Sequence, residues 1–242
     1  MKVILGSQVN DLCSQVVLEM WSDVKEWHHV KRWHLEKKIE RTLAALKKNG
    51  FDVMYVPNRK EVAAKILELI PSNALVGVGG SVTVRELGLL ESLKRRGNKI
   101  ADHWEARQKG LSPEEVMKIR RLLLNSDVLL TGTNAVTEEG HLVNTDHAGQ
   151  RVAAMIFGPK KVIIVAGVNK IVRDVDEAFE RIKNVAAPMN AKRLKVEVPC
   201  AVTGICSDCA SQNRICNVTT IIERKPIHTD VTVILVGEAL GY

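Results

Sequence analysis

The stretch Leu75-Val-Gly-Val-Gly-Gly-Ser-Val-Thr83 passes from an apolar strand through a glycine turn into a helix start. Its first four residues suit a strand buried on both faces. Gly79 and Gly80 let the backbone turn tightly and approach a ligand, and the free N–H groups of a helix start favour negative charge. The loop is neither a Walker loop nor a complete G-x-G-x-x-G, so a plain strand-to-helix turn is the alternative reading. The helix it opens runs through Leu93.

Outward from this unit the same alternation repeats. Residues 51–56 read as a short strand, and Asn58 with Glu61 as a capping box opening a helix to about Ile70. Residues 99–102 are a short strand. Ser112-Pro113-Glu114-Glu115 starts a helix that ends near Asn125. Residues 127–132 and 161–166 are strands, Asp174 with Glu177 caps a helix to about Ala186, and residues 218–223 and 231–237 are strands again. This pattern predicts an α/β, Rossmann-like fold, a mostly parallel sheet flanked by helices on both faces.

Residues 1–50 are expected to form an N-terminal helical arm, and residues 51–242 one domain. Leu12, Val16, Met20, Val24 and Trp27 recur at helical spacing, and Lys37, Lys38, Glu40 and Arg41 read as a solvated face. Trp21, Trp27 and Trp33 either pack the arm on the core or form a subunit interface, the second reading making the chain a homo-oligomer. His28, His29 and His34 lack the i, i+4 spacing of helical zinc ligands and read as surface residues.

The chain has 242 residues and a formal net charge of +7. Acids and bases interleave and aromatics are only 4%, which argues against a nucleic-acid partner and suits a small anionic metabolite. No apolar run is long enough to span a membrane, and the start does not read as a secretory signal, so a cytoplasmic protein is expected.

Ligands of open parallel sheets bind beyond the carboxyl ends of the strands. A second loop at such a place is Thr131-Gly-Thr-Asn-Ala-Val-Thr-Glu-Glu-Gly140, with Leu142-Val-Asn144 as a short return strand. Glu138 and Glu139 are the catalytic candidates, because adjacent carboxylates repel and one is pushed toward acid–base work; a solvated turn is the plain alternative. The substrate-binding candidates are Gly79, Gly80, Ser81 and Thr83 from the first loop, Thr133, Asn134 and Asn144 from the second, and Asn169 and Lys170 beyond the strand at 161–166.

Four of the five cysteines, Cys200, Cys206, Cys209 and Cys216, fall in seventeen residues with spacing C-x5-C-x2-C-x6-C. They are the candidate metal ligands, for an iron–sulfur cluster or zinc. Only Cys206–Cys209 is a two-residue knuckle, so a redox dithiol there, with Arg214 lowering a thiol pKa, and four unligated thiols remain as other readings.

The set Thr131–Gly140, Leu142-Val-Asn144, Gly149-Gln-Arg-Val-Ala153, Phe157-Gly-Pro-Lys-Lys-Val162 and Ala166-Gly-Val-Asn-Lys-Ile-Val172 resembles the lactate-utilisation (LUD) domain family from about residue 35 to the end. The resemblance implies a place in the superfamily of CoA transferases, glucosamine-6-phosphate deaminase and ribose-phosphate isomerases, with the active site above the strand ends. It places Glu138 where CoA transferases carry a nucleophilic glutamate. It places Asn134 where related isomerases carry a catalytic aspartate, and an amide cannot act as a base. The expected function is therefore a LUD-domain protein of lactate or organic-acid redox metabolism, binding a small anion between the two loops. The alternatives are a CoA-transferase-like or isomerase-like enzyme using Glu138, and a non-catalytic subunit docking to an electron-transfer protein.

Overall fold

The computed structural model describes the backbone of residues 7–242 and the side chains of residues 27–242. The expected stripe at Leu12, Val16, Met20 and Val24, with Trp21 and Cys13, lies outside the described side chains. Two compact units are present, residues 1–40 and residues 41–242.

The first unit contains most of helix α1 (Ser7–Lys48). Within it Trp27, Val30 and Trp33 are exposed, at 62%, 52% and 52%. Lys37 and Glu40 form an exposed i, i+3 ion pair, and His28, His29 and His34 are exposed.

The second unit is built on a six-stranded, wholly parallel sheet. Its chain order is β1 (Asp52–Val56), α2 (Arg59–Leu69), β2 (Leu75–Val78), α3 (Val82–Glu86), α4 (Leu90–Arg95), β3 (Lys99–Ala101), α5 (His103–Gln108), α6 (Pro113–Leu122) and β4 (Val128–Gly132). There follow β5 (Ala135–Thr137), β6 (Leu142–Asp146), α7 (Gln150–Ile156), β7 (Lys161–Gly167), β8 (Ile171–Val172), α8 (Val175–Arg181), α9 (Ala187–Leu194), α10 (Cys200–Thr203), β9 (Val218–Ile222) and β10 (Asp230–Val236). The sheet order is β1-β10-β7-β4-β2-β3.

The strands read as continuous apolar runs because both faces are covered. Val128, Leu130, Ile163, Val165, Ile234 and Val236 join Val62 and Ile66 of α2 and Leu93 of α4 in one cluster. The alternate residues Leu129, Val162, Ile164, Val233 and Leu235 lie outside that cluster and are just as buried, as period-two side chains on the opposite face must be.

Local signals hold in most places. Ser112 accepts from Glu115 N–H while the Glu115 carboxylate accepts from Ser112 N–H, a full capping box with Pro113 at the first turn. Asn58 accepts from the N–H groups of Lys60 and Glu61, but Glu61 answers the Asn58 amide rather than its backbone. The helix expected through Leu93 breaks into α3 and α4 around Gly88, whose φ is +64°. The helix expected to stop near Ala186 continues through a wide turn at Ile182–Ala186 into α9.

A second, mixed sheet, β8-β5-β6-β9, takes in two strands read from the sequence, at 142–144 and 218–223, but was not expected as a separate sheet. It follows from the hairpin of β5 and β6, which pairs antiparallel and is extended by β9. Its apolar residues Ala135, Val143 and Val172 pack on Ala178 and Ile182. The strand at 218–223 thus belongs to this sheet and not to the parallel one.

Candidate functional site: a cationic cavity above the strand ends

Where β2 and β4 end, the two glycine-containing loops meet. A Cβ on Gly79 would lie 2.4 Å from Thr131 Oγ1 and 3.0 Å from Arg151 Cγ, and one on Gly132 would lie 2.7 Å from Ser81 Oγ. No side chain fits at either position, so the loops close on one another and on Arg151.

Arg151, on α7, is the hub. Its guanidinium donates to Asn144 Oδ1 (2.9 Å), Asn134 Oδ1 (3.2 Å), Thr145 C=O (3.1 Å) and the Asp146 carboxylate (Nε, 2.9 Å). The two amides lock in turn: Asn134 N–H donates to Asn144 Oδ1 (3.1 Å), and Thr145 N–H to Asn134 Oδ1 (2.8 Å). Asn144 is wholly buried, and its amide nitrogen has no partner. The amides thus act first as the frame of the loop.

Above this frame opens a cavity of about 510 Å³. Gly80, Ser81, Thr83, Thr133, Asn134 and Lys170 all line it, six of the residues singled out in the sequence. Lys170 is 3% exposed. Its ammonium nitrogen donates to Thr83 Oγ1 (2.7 Å) and to Thr133 C=O (3.0 Å). Burial, with Arg181 and then Arg151 nearby, pushes its pKa down to about 7. Arg181 itself braces the loop, donating to the C=O of Asn134 (2.6 Å) and Asn169 (3.1 Å).

The charged part of the lining is almost wholly cationic. Arg107, Arg120, Arg151, Lys170 and Arg193 face a single carboxylate, Asp146, which Arg151 already engages. Burial and Arg120 push His103, 4% exposed, down to about 4, so it is neutral at physiological pH. The guanidinium of Arg193 stands 4.2 Å from the Trp104 ring centre, and that of Arg85 4.9 Å.

Three candidates lie elsewhere. Asn169 is exposed and ties down the C-terminal tail, accepting from Leu240 N–H (3.1 Å) and donating to Gly241 C=O (3.2 Å). Glu138 and Glu139 sit at the tip of the β5–β6 turn. There the Glu138 carboxylate accepts from Arg41 Nε (2.9 Å) and Nη2 (2.6 Å), and Glu139 is exposed. No glutamate lines the cavity among the described residues. The hairpin carries the pair away because β5 and β6 separate the turn from the loop at 133–134. Gly79 lies beneath the lining rather than in it.

His103, Trp104, Arg107, Arg120 and Arg193 are part of the cavity and were absent from the sequence reading. Asp102 was the available signal: its carboxylate accepts from Trp104 N–H (2.9 Å) as the cap of α5.

Cys200, Cys206, Cys209 and Cys216 form no disulfide and are half-buried. They are gathered on one loop: burial raises the Cys200 thiol pKa, and Cys206, Cys209 and Cys216 each add to the rise. Asp208, at φ +47°, donates its N–H to Cys206 Sγ (3.3 Å). Arg214 ties the loop, donating to the C=O of Cys209 (2.9 Å) and Cys216 (3.0 Å). Cys216 also lines the cavity. Yet among the described residues no group of three or more His, Cys, Asp or Glu side chains is placed to hold a metal ion. The thiols as placed are a cluster and not a finished ligand set.

Residues 39–236 match the family model described as LUD domain. A DUF162-family protein from Deinococcus radiodurans is 16% identical, with a TM-score of 0.51 over 84% of this chain and 98% of its own, a likeness of fold. Weaker likenesses are eIF2B delta from Chaetomium thermophilum (15% identity, TM-score 0.34, 50% of each chain) and ribose 5 phosphate isomerase A from Neisseria gonorrhoeae (16%, 0.31, 48% of this chain and 54% of that one). No curated protein matches.

Proposed function

The chain belongs to the LUD-domain family, and we propose that it binds a small organic anion of lactate or organic-acid redox metabolism in the cationic cavity. The observation that carries this reading is the imbalance of charge in the lining: four cations besides Arg151 against no free carboxylate. Such a site gains most from an anionic ligand, which relieves the repulsion among its own cations. Lys170 answers the ligand's carboxylate, Ser81 and the Asn134 amide lie beside it, and His103 stays neutral.

Glu138 as nucleophile has no support in this geometry, because its carboxylate is held by Arg41 outside the cavity. Family membership supports a role related to lactate utilisation, and in such a role the exposed Trp27, Val30 and Trp33 suit docking to a second copy or to an electron-transfer partner. We place the chain in the cytoplasm, where clustered cysteines stay reduced and available for metal or redox chemistry.

A thermal-shift panel of lactate, pyruvate and longer carboxylates tests the proposal. Carboxylates raise the melting temperature of the wild type and leave Lys170→Met unmoved. A panel in which no carboxylate shifts the wild type overturns the reading.

A further inference from the structure

The cavity is larger than a three-carbon acid needs. Pockets of roughly 300–1,000 Å³ bury ligands of drug size, and this one is about 510 Å³. Its cations also fall into two electrostatic groups. Lys170 feels Arg181 and Arg151. Arg120 feels Arg107, and His103 feels Arg120, Arg107 and Arg85.

One acid, Asp102, acts on the second group, raising His103 against three arginines that lower it, and it does not line the cavity. Asp102 Oδ1 is engaged by Arg85 (2.6 Å) and by Trp104 N–H (2.9 Å), while its Oδ2 is buried without a partner. Arg193 donates to Asn190 Oδ1 (3.1 Å and 2.7 Å), whereas Arg107 and Arg120 pair with no carboxylate among the described residues. Arg120 Nε and His103 Nδ1 are buried without a partner. The Trp104 indole nitrogen stands next to Gly80, where a Cβ would come within 3.1 Å of it. The glycine leaves that donor uncovered.

A single carboxylate at Lys170 leaves this second group unanswered. A phosphoryl group carries a charge of about −1.5 to −2 and three acceptor oxygens, which matches several guanidinium and indole donors at one place. We propose that the ligand of this cavity carries two anionic groups, a carboxylate at Lys170 and a phosphoryl group at Arg120 and Trp104, and is a phosphorylated organic acid. The inference rests on the organic-anion reading above and narrows it.

Calorimetric titration of the full chain at pH 6.5 tests it, with phosphoenolpyruvate and 2-phosphoglycerate set against pyruvate, lactate and inorganic phosphate. The phosphorylated acids bind roughly 30-fold tighter than pyruvate. Arg120→Gln lowers their affinity at least about tenfold and that of pyruvate less than about threefold, and Arg120→Lys recovers part of the loss. Melting curves show that both variants are folded. Pyruvate binding as tightly as phosphoenolpyruvate overturns the two-group ligand and leaves the organic-anion reading standing. Inorganic phosphate binding as tightly as phosphoenolpyruvate also overturns it, since the carboxylate end then contributes nothing. Absence of binding by any carboxylate, phosphorylated or not, overturns both.

Discussion

Lys170 shows most clearly what the site costs the fold. An amine with an ordinary pKa near 10.5 sits 3% exposed beside two arginines and titrates at about 7. Below pH 7 it is charged in both the folded and unfolded chain, and the folded state carries the whole penalty of burying it. Between about 7 and 10.5 the unfolded chain holds the proton and the folded chain does not, so stability rises with pH across that window. The penalty is roughly 5 kcal/mol at ~1.4 kcal/mol per pKa unit, partly offset by the bonds to Thr83 and Thr133. Lys170→Met is therefore expected to be more stable than wild type by roughly 2–4 kcal/mol at pH 6, with the gap closing toward pH 10. Urea unfolding at the two pH values measures it. A variant less stable than wild type at pH 6 means that Lys170 is there for packing and not for a ligand. Its place was legible in the sequence, just beyond the strand read at 161–166, but its lowered pKa was not, because Arg151 and Arg181 reach it only through the fold.

At the scale of elements, the strand–turn–helix at 75–83 was legible because strand apolarity, glycines and the Ser81 cap agree with one another, and Ser81 does accept from Val84 N–H (3.3 Å). The β5–β6 hairpin misled where it carries carboxylates. Glu138 was singled out by its adjacency to Glu139 and by the family resemblance, while antiparallel pairing places the turn at the far end from the loop at 133–134. Helix α5, six residues long, was missed because it is too short for a periodic pattern, and with it went His103 and Trp104.

The cysteine loop is likewise an element with its own test. We propose it as the seat of a thiophilic metal or an iron–sulfur cluster, supported by the gathering of four thiols and the N–H···S bond inside the Cys206–Cys209 knuckle. As they stand, no three of them form a group able to hold a metal ion among the described residues. Metal and acid-labile sulfide analysis of anaerobically purified protein is expected to show zinc near one equivalent, or iron with sulfide, lost in Cys206→Ser. Four titratable thiols with no metal assign the loop to thiol chemistry alone.

For the molecule as a whole, the α/β class followed from alternation, because continuous apolar runs between capped helices leave a parallel sheet as the simplest way to cover both faces. Of the second sheet, β6 and β9 were legible as strands, but their pairing was not. Its strands β8 and β5 are two and three residues long and pair across nonlocal positions that no local pattern reveals. No helix among the described residues is long and apolar enough to cross a membrane.

The central claim is that one anion-binding cavity above the parallel strands is completed by Lys170. Its most direct test is calorimetric titration with pyruvate and phosphoenolpyruvate at pH 6 and pH 8, in buffers of different ionisation enthalpy. A bound anion favours the ammonium form, so uptake of close to one proton at pH 8 and affinity about tenfold weaker at pH 8 than at pH 6 are expected, both lost in Lys170→Met. Binding that is independent of pH, takes up no proton and survives in Lys170→Met contradicts it.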